Sequence, residues 1–575
     1  MNYENTQRPG RLSRQQRIAD RARAETEIFD VAVIGGGITG VGVALDAESR
    51  GLSAVLLEAD DYASGTSSKS SKLIHGGLRY LEMLDFALVR EALRERKLLL
   101  ETIAPHLVKP VPLIWPLTHR VWERGYLGAG LALYDSMGGA GAVPVHRHLS
   151  KRRMRRTAPG LDPQAYVGGI QFYDAIEDDA RYAMTVARTA AERGAAMLTK
   201  VRATGLSVVG GRVCGVHARD MLTDTEFDVQ ARHVVVAAGP WAGHVLEMIP
   251  GRQADFAVRP SKGIHIVVPG DRIESEAGVL MRTEKSVLFV IPWDGHWLIG
   301  DTDTEWREDT GTPLPTRVDV EYLLSKVNSI LKHPLSTDDI EGVFAGLRPL
   351  VHSGDEVDTT KISREHSIST PLPGISVIAG GKYTTYRVMA KDVMDVVADD
   401  LRVGRPSATS KLPLVGARGY RDLLENHQKL AGEAKMTPTA VKRLLNRYGD
   451  VTEELLSLVA ADPALGAPLA GAAPYTRVEA MYAFLCEGAL TVADVLERRT
   501  RIRIQCKDAG LACVEDVAAI GGQVLGWSPA DQMRQVRAYK ASVTAQRTAM
   551  REDTDRDAVA AFTRFMDNPK IAVAE

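Results

Sequence analysis

The chain is 575 residues long, with 45% hydrophobic residues, 25% charged residues and a formal net charge of -2. This length exceeds what one hydrophobic core supports and predicts about three to four domains. The balanced charge gives no sign of nucleic-acid binding, because binders of a phosphate backbone need a basic excess on at least one face. Cys214, Cys486, Cys506 and Cys513 form no CxxC pair, so we expect no disulfide framework and no metal site, as in a reducing cytoplasm.

The first 27 residues are basic and lack the apolar segment of a secretory signal. Their arginines are Arg8, Arg11, Arg14, Arg17, Arg21 and Arg23. We expect a disordered basic arm over residues 1–27. The sequence contains no run of about 18 apolar residues, so no transmembrane helix is expected, although attachment to a membrane surface stays open.

Residues 29–58, "FDVAVIGGGITGVGVALDAESRGLSAVLLE", predict a strand, a glycine-rich turn, a helix and a second strand. Gly35, Gly37 and Gly40 have the GxGxxG spacing that provides a tight turn, close approach to a pyrophosphate, and helix–strand packing. The helix N-terminus would offer free N–H groups to the phosphates. Glu58 ends the second strand, where a carboxylate accepts from a ribose 2′-hydroxyl and repels a 2′-phosphate. The stretch predicts a Rossmann-like domain that binds FAD or NAD.

Two later segments favour FAD. Residues 232–243, "RHVVVAAGPWAG", predict another buried strand, and residues 374–397, "GISVIAGGKYTTYRVMAKDVMDVV", predict a strand, a double glycine and a long helix. The second segment would return the chain to the nucleotide-binding domain. Its helix N-terminus could face the pyrimidine side of a reduced flavin, whose negative charge the helix dipole stabilises. An NAD enzyme has no need of that feature.

Several longer motifs carry a resemblance to a known family: "IGGGITG", "GTSSKSSKLIHGGLRYLE", "GPWA", "SKGIHIVVP", "FVIPW", "AGLRPL", "GGKYTTYR" and "EGALTVADVLERRTR". From residue 28 to about residue 530 the chain resembles the FAD-dependent, respiratory glycerol-3-phosphate dehydrogenases of the bacterial aerobic type. The resemblance implies oxidation of sn-glycerol 3-phosphate to dihydroxyacetone phosphate, with FAD as cofactor and a membrane quinone as electron acceptor.

The resemblance also implies an α/β plus α fold. A Rossmann-like FAD-binding domain over residues 28–404 would be interleaved with an amino-acid-oxidase-like substrate domain built on an antiparallel sheet, at roughly residues 100–180 and 245–345. An all-helical domain would occupy residues 405–575, where the apolar spacing is helical. We expect the polar tail from about Arg551 to fray.

The resemblance assigns site residues by motif. Those in the substrate pocket would be Arg79, Tyr80, His265, Arg348, Arg364 and Lys382, with Arg79, His265, Arg348 and Lys382 as catalytic groups. Those at FAD would be Gly35, Gly37, Ile38, Thr39, Gly40, Glu58, Thr66, Ser67, Ser68, Lys72, Leu73, His75, Gly76, Ala238, Gly239, Gly381, Lys382, Thr384 and Thr385. Two positions depart from the pattern: Asp301 stands where threonine is usual, and Tyr383 where leucine is frequent.

The chemistry fits these residue types. Oxidation of a secondary alcohol moves a hydride from carbon 2 to flavin nitrogen 5 while a base takes the hydroxyl proton. Arginine suits the substrate phosphate because its planar fork binds phosphate oxygens and keeps its charge. Arg348 lies in the apolar stretch "VFAGLRPLV", where burying a charge would be costly without an anion. His265 and His75 compete as the base; we favour His265, with His75 as a flavin contact.

One basic run is the densest in the chain. It consists of Arg147, Lys151, Arg152, Arg153, Arg155 and Arg156. It is either a solvated face or a platform for anionic lipid headgroups, which would place the protein peripherally on the cytoplasmic face of the plasma membrane. A peroxide-forming oxidase and a non-catalytic FAD-binding sensor are the alternative functions, and a homodimer is left open.

Overall fold

A computed structural model of the chain describes residues 9–77, 85–119, 121–138, 141–249, 257–283, 287–352 and 366–567. The strands are β1 (Ile28–Ile34), β2 (Ala54–Glu58), β3 (Leu73–Ile74), β4 (Lys109–Leu117), β5 (Arg147–Ser150), β6 (Gly168–Ile176), β7 (Ala196–Thr199), β8 (Val201–Val209), β9 (Arg212–Asp220), β10 (Thr225–Val236), β11 (Ala257–Pro269), β12 (Gly278–Arg282), β13 (Val287–Trp293), β14 (His296–Gly300), β15 (Thr304–Glu305), β16 (Gly342–His352), β17 (His366–Leu372) and β18 (Ile375–Gly380).

The helices are α1 (Arg14–Thr26), α2 (Ile38–Ser49), α3 (Phe86–Leu98), α4 (Trp122–Met137), α5 (Lys151–Thr157), α6 (Asp179–Glu192), α7 (Ala242–Leu246), α8 (Arg317–Asn328), α9 (Tyr386–Leu401), α10 (Tyr420–Glu425), α11 (His427–Ala434), α12 (Pro438–Tyr448), α13 (Thr452–Ala461), α14 (Arg477–Cys486), α15 (Ile502–Gln505), α16 (Val514–Leu525), α17 (Pro529–Ala549) and α18 (Asp555–Asp567). Two π-helical turns, Leu99–Ile103 and Asp494–Arg499, extend α3 and precede α15.

The first sheet has the strand order β17–β18–β10–β1–β2–β7, with β9 beside β10 and β8 beside β9. Strand β1 pairs in parallel with β2 and β10, and β10 pairs in parallel with β18. Helices α2, α6 and α9 contribute to the core on one face of this sheet. Burial on both faces explains the near-continuous apolar strand sequences. The predicted Rossmann-like domain is confirmed, and so is the late return of the chain at β18.

The second sheet has the order β15–β11–β14–β13–β12–β4–β6–β3, with β16 beside β11 and β5 beside β6. Its pairs are antiparallel apart from β12 with β4. The sheet predicted as antiparallel is therefore mixed by one parallel pair. Its strands lie in residues 73–74, 109–176 and 257–352, so the chain passes repeatedly between the two sheets and brings their edges together.

The chain after residue 419 forms a helical unit with a hydrophobic core of its own, in which Leu444, Val478 and Val517 are fully buried. Helix α12 shows how the local sequence sets a boundary. Thr437 accepts a hydrogen bond from the N–H of Ala440, and Pro438 occupies the first helical turn, where its missing N–H has no cost. The predicted all-helical C-terminal domain is confirmed.

The predicted disordered arm is wrong for residues 14–26, which form α1 and pack on the first sheet. Arg17 donates to the carbonyl of Thr199 at 3.1 Å and to the carboxylate of Asp220 at 2.9 Å. The guanidinium of Arg21 lies 3.2 Å from the ring centre of Phe227. The arginines recur at helical spacing, so one face of α1 meets acceptors and an aromatic ring that come much later in the chain.

The predicted fraying of the tail is also wrong up to residue 567. Helix α18 packs against α17, and the carboxylate of Asp555 contacts the ammonium of the buried Lys262 on β11. Lys262 also donates to Asp319 at 2.6 Å. A buried ammonium needs a paired anion, and the tail provides one of the two carboxylates. The C-terminal helix thereby ties the helical unit to the second sheet.

Candidate active site

The glycine-rich turn between β1 and α2 has the close packing that a dinucleotide-binding loop requires. A Cβ atom on Gly40 would lie 1.9 Å from the carbonyl oxygen of Gly35. Gly35 itself has φ +113, and a Cβ there would meet the carbonyl oxygen of Ala237 at 2.6 Å. Ala238 and Gly239 follow directly, so these predicted FAD residues lie together. The N-terminus of α2, with Ile38 and Thr39, starts at this turn.

Glu58 and Ser67 lie against the same glycine-rich turn. The N–H of Ile38 donates to Ser67 Oγ at 2.9 Å, and the N–H of Gly36 donates to Glu58 Oε2 at 2.6 Å. Burial raises the pKa of the Glu58 carboxyl to about 7. The space above Gly37 is limited only by Ser67 Oγ, 3.2 Å from a Cβ placed there. The backbone is open where a phosphate group would approach, so this loop fits the pyrophosphate and ribose of FAD.

The second half of the cofactor region forms where β18 leads into α9. Gly381 has φ +79, and a Cβ on it would lie 2.5 Å from Met389 Sδ. A single helical turn, Tyr383–Thr385, then continues into α9. Thr384 Oγ1 accepts a hydrogen bond from the N–H of His75 at 3.1 Å. The structure thus joins two predicted FAD segments that are more than 300 residues apart.

The seam is the region where the edges of the two sheets meet, and residues 66–76 lie along it. Thr66 Oγ1 donates to the carbonyl of Leu347 on β16 at 2.6 Å. The N–H of Gly76 donates to the hydroxyl of Tyr134 at 2.7 Å, and Leu73 is buried in β3, which pairs with β6. This segment therefore contacts the first sheet's cofactor loop and the second sheet's strands at once.

His265, the predicted base, lies on β11 behind this segment. Its Nε2 forms a 2.9 Å hydrogen bond with Ser71 Oγ, and its ring stacks on Phe344 with centroids 5.0 Å apart. His265 is only 2% exposed, whereas Ser71 is half-buried. A Cβ on Gly300 would lie 2.3 Å from the imidazole. The Nδ1 atom has no hydrogen-bond partner among the described residues. Ser71 rather than His265 is the more accessible member of the pair.

Arg348, the predicted anion contact on β16, is already paired with acidic groups. Its Nη2 donates to the Asp301 carboxylate and, at 2.9 Å, to the carbonyl of Thr302. Asp303 lies 3.6 Å from Nη1. Gly263 leaves the room for this side chain, because a Cβ on it would lie 2.5 Å from Nη2. Two carboxylates thus lie beside the Arg348 guanidinium.

The Asp301 carboxylate beside Arg348 gives a first prediction. Asp301→Asn should lower the KM for an anionic phosphate substrate about fivefold, since one charge in half-exposed surroundings is worth about 1 kcal/mol. Steady-state kinetics would measure the change. Asp271→Asn, in an exposed turn that follows β11, is the control and should leave KM unchanged. An unchanged or higher KM in Asp301→Asn would show that the carboxylate does not oppose the substrate.

The ammonium group of Lys72 is buried and paired with Asp179. Its Nζ is fully buried and donates to both oxygens of Asp179 at 2.8 Å and to the carbonyl of Ser68 at 3.2 Å. Burial lowers the pKa of this ammonium to about 8. The contact of Lys72 with FAD stays a prediction.

Three predicted substrate residues, Arg79, Tyr80 and Arg364, lie outside the described residues. Tyr383, which departs from the family pattern, donates its hydroxyl to the carbonyl of Asp179. Lys382 directly precedes the turn at residues 383–385, on the cofactor side of the seam.

Four residues at or beside the seam were missed from sequence: Asp61, Ser71, Asp179 and Arg501. Ser71 stands inside the quoted "KSSKLIHGG" motif, and Arg501 ends the quoted "ERRTR" motif. The acidic run 177–179 directly follows β6 and leads into α6, which is a local sign of a functional position. Asp61 has no such sign, because its partners Arg498 and Arg499 are more than 430 residues away.

Comparison with known proteins identifies the class. Residues 30–387 match the family model of the FAD dependent oxidoreductases (DAO), and residues 407–532 match the model described as the C-terminal domain of alpha-glycerophosphate oxidase. Together with the glycine-rich turn, its Glu58 and the returning β18–α9 unit, the match defines an FAD-dependent oxidoreductase with a helical C-terminal domain.

Relatives narrow the class further. Glycerol-3-phosphate dehydrogenase 2 of Mycobacterium bovis is 49% identical over 533 residues, which is 92% of this chain and 91% of that protein. The mitochondrial glycerol-3-phosphate dehydrogenase of Bos taurus is 34% identical over 571 residues, which is 95% of this chain and 77% of that protein. The chain belongs to the FAD-dependent glycerol-3-phosphate dehydrogenase family.

A solved structure agrees with this assignment. The glycerol-3-phosphate dehydrogenase from Bacillus halodurans, complexed with FAD, superposes with a TM-score of 0.76 at 28% identity and covers 93% of this chain and 98% of that one. The L-alpha-glycerophosphate oxidase from Mycoplasma pneumoniae, with a TM-score of 0.54 and 19% identity, shares the fold. The predicted fold class and the predicted FAD cofactor are confirmed.

Proposed function

We propose that this protein oxidises sn-glycerol 3-phosphate to dihydroxyacetone phosphate. The observation that carries the proposal is the convergence of His265, Arg348 and the segment of residues 66–76 at the seam between the two sheets, in a chain that belongs to this family. FAD, when bound, supplies the acceptor for the hydride that leaves carbon 2. The protein side chains then have to bind the phosphate, orient the alcohol and remove its proton.

The proton would leave through Ser71. In this scheme Ser71 Oγ accepts the proton of the substrate hydroxyl and passes its own proton to Nε2 of His265, 2.9 Å away. A serine bonded to an imidazole is a common way to move a proton in a buried site. Arg348, held between Asp301 and Asp303, offers donors beside acceptors, which suits the polar end of a polyol phosphate. Lys382 and the undescribed Arg79, Tyr80 and Arg364 remain candidates for the phosphate.

The test is anaerobic reduction of the bound flavin by a panel of polyols and polyol phosphates. Glycerol 3-phosphate should bleach the flavin absorbance in a stopped-flow experiment, while glycerol at equal concentration should not. The unphosphorylated compound lacks the dianion that the basic residues select. Equal rates with glycerol and its phosphate would contradict the proposed substrate, and no bleaching with either would favour a non-catalytic FAD-binding sensor.

We further propose a membrane quinone as the electron acceptor. The rival is oxygen, and one observation favours it: the helical domain matches a family model named for alpha-glycerophosphate oxidase. High identity to proteins named dehydrogenases supports the quinone instead. Purified enzyme should reduce a short-chain quinone analogue far faster than oxygen, and comparable rates with peroxide release would support the oxidase.

Peripheral membrane contact would bring the enzyme to its acceptor. Among the described residues, no helix is long and apolar enough to cross a bilayer. Helix α4, however, exposes Trp122, Tyr126 and Leu133 by 64%, 56% and 41% on one face. It packs beside β5, since Arg124 donates to the carbonyl of Leu149 at 3.1 Å. The residues of the basic run lie on β5 and α5, and most of them are exposed. Aromatic side chains beside basic ones are typical of interfacial binding. The cytoplasmic face of the plasma membrane is the proposed location.

Liposome binding provides the second prediction. Arg152→Gln with Arg153→Gln should weaken binding to anionic vesicles at low salt, by about 1 kcal/mol for each lost charge. Trp122→Ser with Tyr126→Ser should weaken it at low and at high salt, because apolar insertion is not screened. Val209→Ser, which removes an exposed side chain from the distant β8–β9 turn, is the control. Binding that none of these variants changes would exclude this surface.

A further inference from the structure

Three arginines of the "ERRTR" motif reach out of the helical domain into the cofactor-binding domain. Arg498 and Arg499 come from the π-helical turn Asp494–Arg499, and Arg501 follows it. They are 7%, 1% and 2% exposed. Buried guanidinium groups persist only where acceptors satisfy them, and here half of the acceptor atoms belong to the cofactor-binding domain and half to the helical domain.

The first contact is with Asp61, in the loop that follows Glu58. Arg499 binds both of its carboxylate oxygens, at 2.6 and 2.7 Å, and Arg498 Nε binds Oδ2 at 2.6 Å. Asp61 is fully buried. Burial alone would raise the pKa of the Asp61 carboxyl, but the two guanidinium groups hold it below its ordinary value. The carboxylate is therefore charged and fixed by a planar fork.

The second contact is with the next part of the same loop. Arg501 Nη2 donates to the carbonyl of Ser68 at 2.7 Å and to Asp179 Oδ1 at 3.0 Å. Asp179 in turn accepts from the N–H of Ser70 at 2.9 Å and from Lys72 Nζ at 2.8 Å. One arginine thereby fixes both the carbonyl of Ser68 and the acid that orders residues 70–72.

The residues that meet the glycine-rich turn lie between these two anchors or a few positions before the first of them. Glu58 lies three positions before Asp61, and Ser67 lies one before Ser68. Glu58 and Ser67 contact the N–H groups of Gly36 and Ile38. The N–H of Ala63, between the anchors, donates to the carbonyl of Gly36 at 3.0 Å. The loop of residues 58–72 is thus held on one side by the turn that receives FAD and on the other by the helical domain.

We propose that Arg499 and Arg501 are positioning residues for the cofactor, through which the helical domain clamps the loop of residues 58–72 around FAD. The clamp gives the helical domain a function in cofactor retention in addition to its own packing. The inference rests on FAD binding at the glycine-rich turn and does not depend on the identity of the substrate.

The test measures FAD release from the holoenzyme by the fluorescence of the freed flavin. Arg499→Lys and Arg501→Lys keep the charge but lose the fork that reaches two acceptors. Each should accelerate release by about tenfold, the scale of one lost charge-assisted hydrogen bond. Arg503→Lys is the matched control. Its guanidinium binds Ser542 and Gln546 within the helical domain, so the release rate should stay at the wild-type value.

Thermal unfolding of the FAD-free proteins separates positioning from general stability. A clamp predicts faster release with a similar melting temperature for Arg501→Lys and Arg503→Lys after FAD is removed. Equal loss of stability in the FAD-free and FAD-bound forms, with wild-type release, would overturn the proposal. Asp61→Asn offers a second variant and should also release FAD faster. Anaerobic bleaching of the wild-type flavin by glycerol 3-phosphate is measured alongside, so a failure of the clamp is distinct from a failure of the proposed reaction.

Discussion

Replacing His265 by glutamine is expected to lower the turnover number by about 10²–10⁴-fold, the range for loss of a general base, with a much smaller change in substrate affinity. Glutamine approximates the size of the imidazole and can still hydrogen-bond Ser71, but it cannot take a proton. The half-reaction is measured as the anaerobic rate of flavin reduction at saturating glycerol 3-phosphate. A wild-type rate would exclude His265 as the base.

Ser71 provides the complementary variant. If the proton passes through its hydroxyl, Ser71→Ala should lose about as much in flavin reduction as His265→Gln, and the double variant should lose little more, because groups that act as a unit are not additive. Ser275→Ala is the control: the Ser275 hydroxyl donates to the carbonyl of Ala277 at 2.6 Å and contacts neither the imidazole nor the loop of residues 58–72. Additive losses in the double variant would mean that Ser71 and His265 act separately.

The pH profile tests the same pair. Burial lowers the pKa of the His265 imidazole to about 4, and the charged groups near it are Asp301, Lys72, Arg348 and Asp179. A base must be unprotonated, so His265 stays competent at neutral pH and should lose activity only as the pH falls towards 4. A limb of kcat/KM near pH 6 that survives in His265→Gln belongs to the substrate phosphate, whose second pKa is about 6. A limb near 6.5 that disappears in this variant would contradict the buried, neutral imidazole.

The neutral imidazole also limits the mechanism. With a pKa of about 4, the ring can accept a proton at pH 7 but does not hold it at equilibrium. The proton must leave again after each turnover, and it returns from Nε2 to Ser71 Oγ, because Nδ1 has no acceptor among the described residues. The half-buried Ser71 and the buried His265 therefore act as a pair, in which Ser71 carries the proton to and from the imidazole.

Local features of the fold were predictable because their causes are local. The spacing of Gly35 and Gly40 alone predicts a cofactor-binding loop, because the turn and the close packing involve residues that are neighbours in sequence. The return of the chain at β18 was visible in a strand followed by two glycines. The histidine and arginine of the site came from family motifs, and the structure places them on neighbouring strands β11 and β16.

Long-range charge pairing was not predictable in this way. The sequence predicts a disordered arm for the arginines of α1, because nothing nearby shows their acceptors. The acceptor of Arg17, Asp220, is 203 residues away. The partner of Lys72, Asp179, is likewise 107 residues away, and no spacing in the sequence indicates this buried ion pair. Periodicity reports which residues are buried, but it does not report which opposite charge a buried residue meets. The same limit hid the clamp at Asp61, whose arginines lie in another domain.

Gly40→Ala is expected to abolish FAD binding. The added Cβ would lie 1.9 Å from the carbonyl oxygen and 3.0 Å from the carbonyl carbon of Gly35, and a backbone group cannot rotate away as a side chain can. Helix α2 must then move away from the turn, and overpacking of this kind typically costs about 1–3 kcal/mol or more. The shift also displaces the backbone N–H groups at the N-terminus of α2, where the pyrophosphate is proposed to bind. Flavin absorbance per protein and the melting temperature should both fall. Gly130→Ala, in mid-α4 with no atom within 4 Å of the new Cβ, should keep its flavin and gain about 0.5–1 kcal/mol of helix stability. Full FAD content in Gly40→Ala would mean that the turn does not bind the cofactor in this geometry, and the proposals for Glu58 and for the arginine clamp would fail with it.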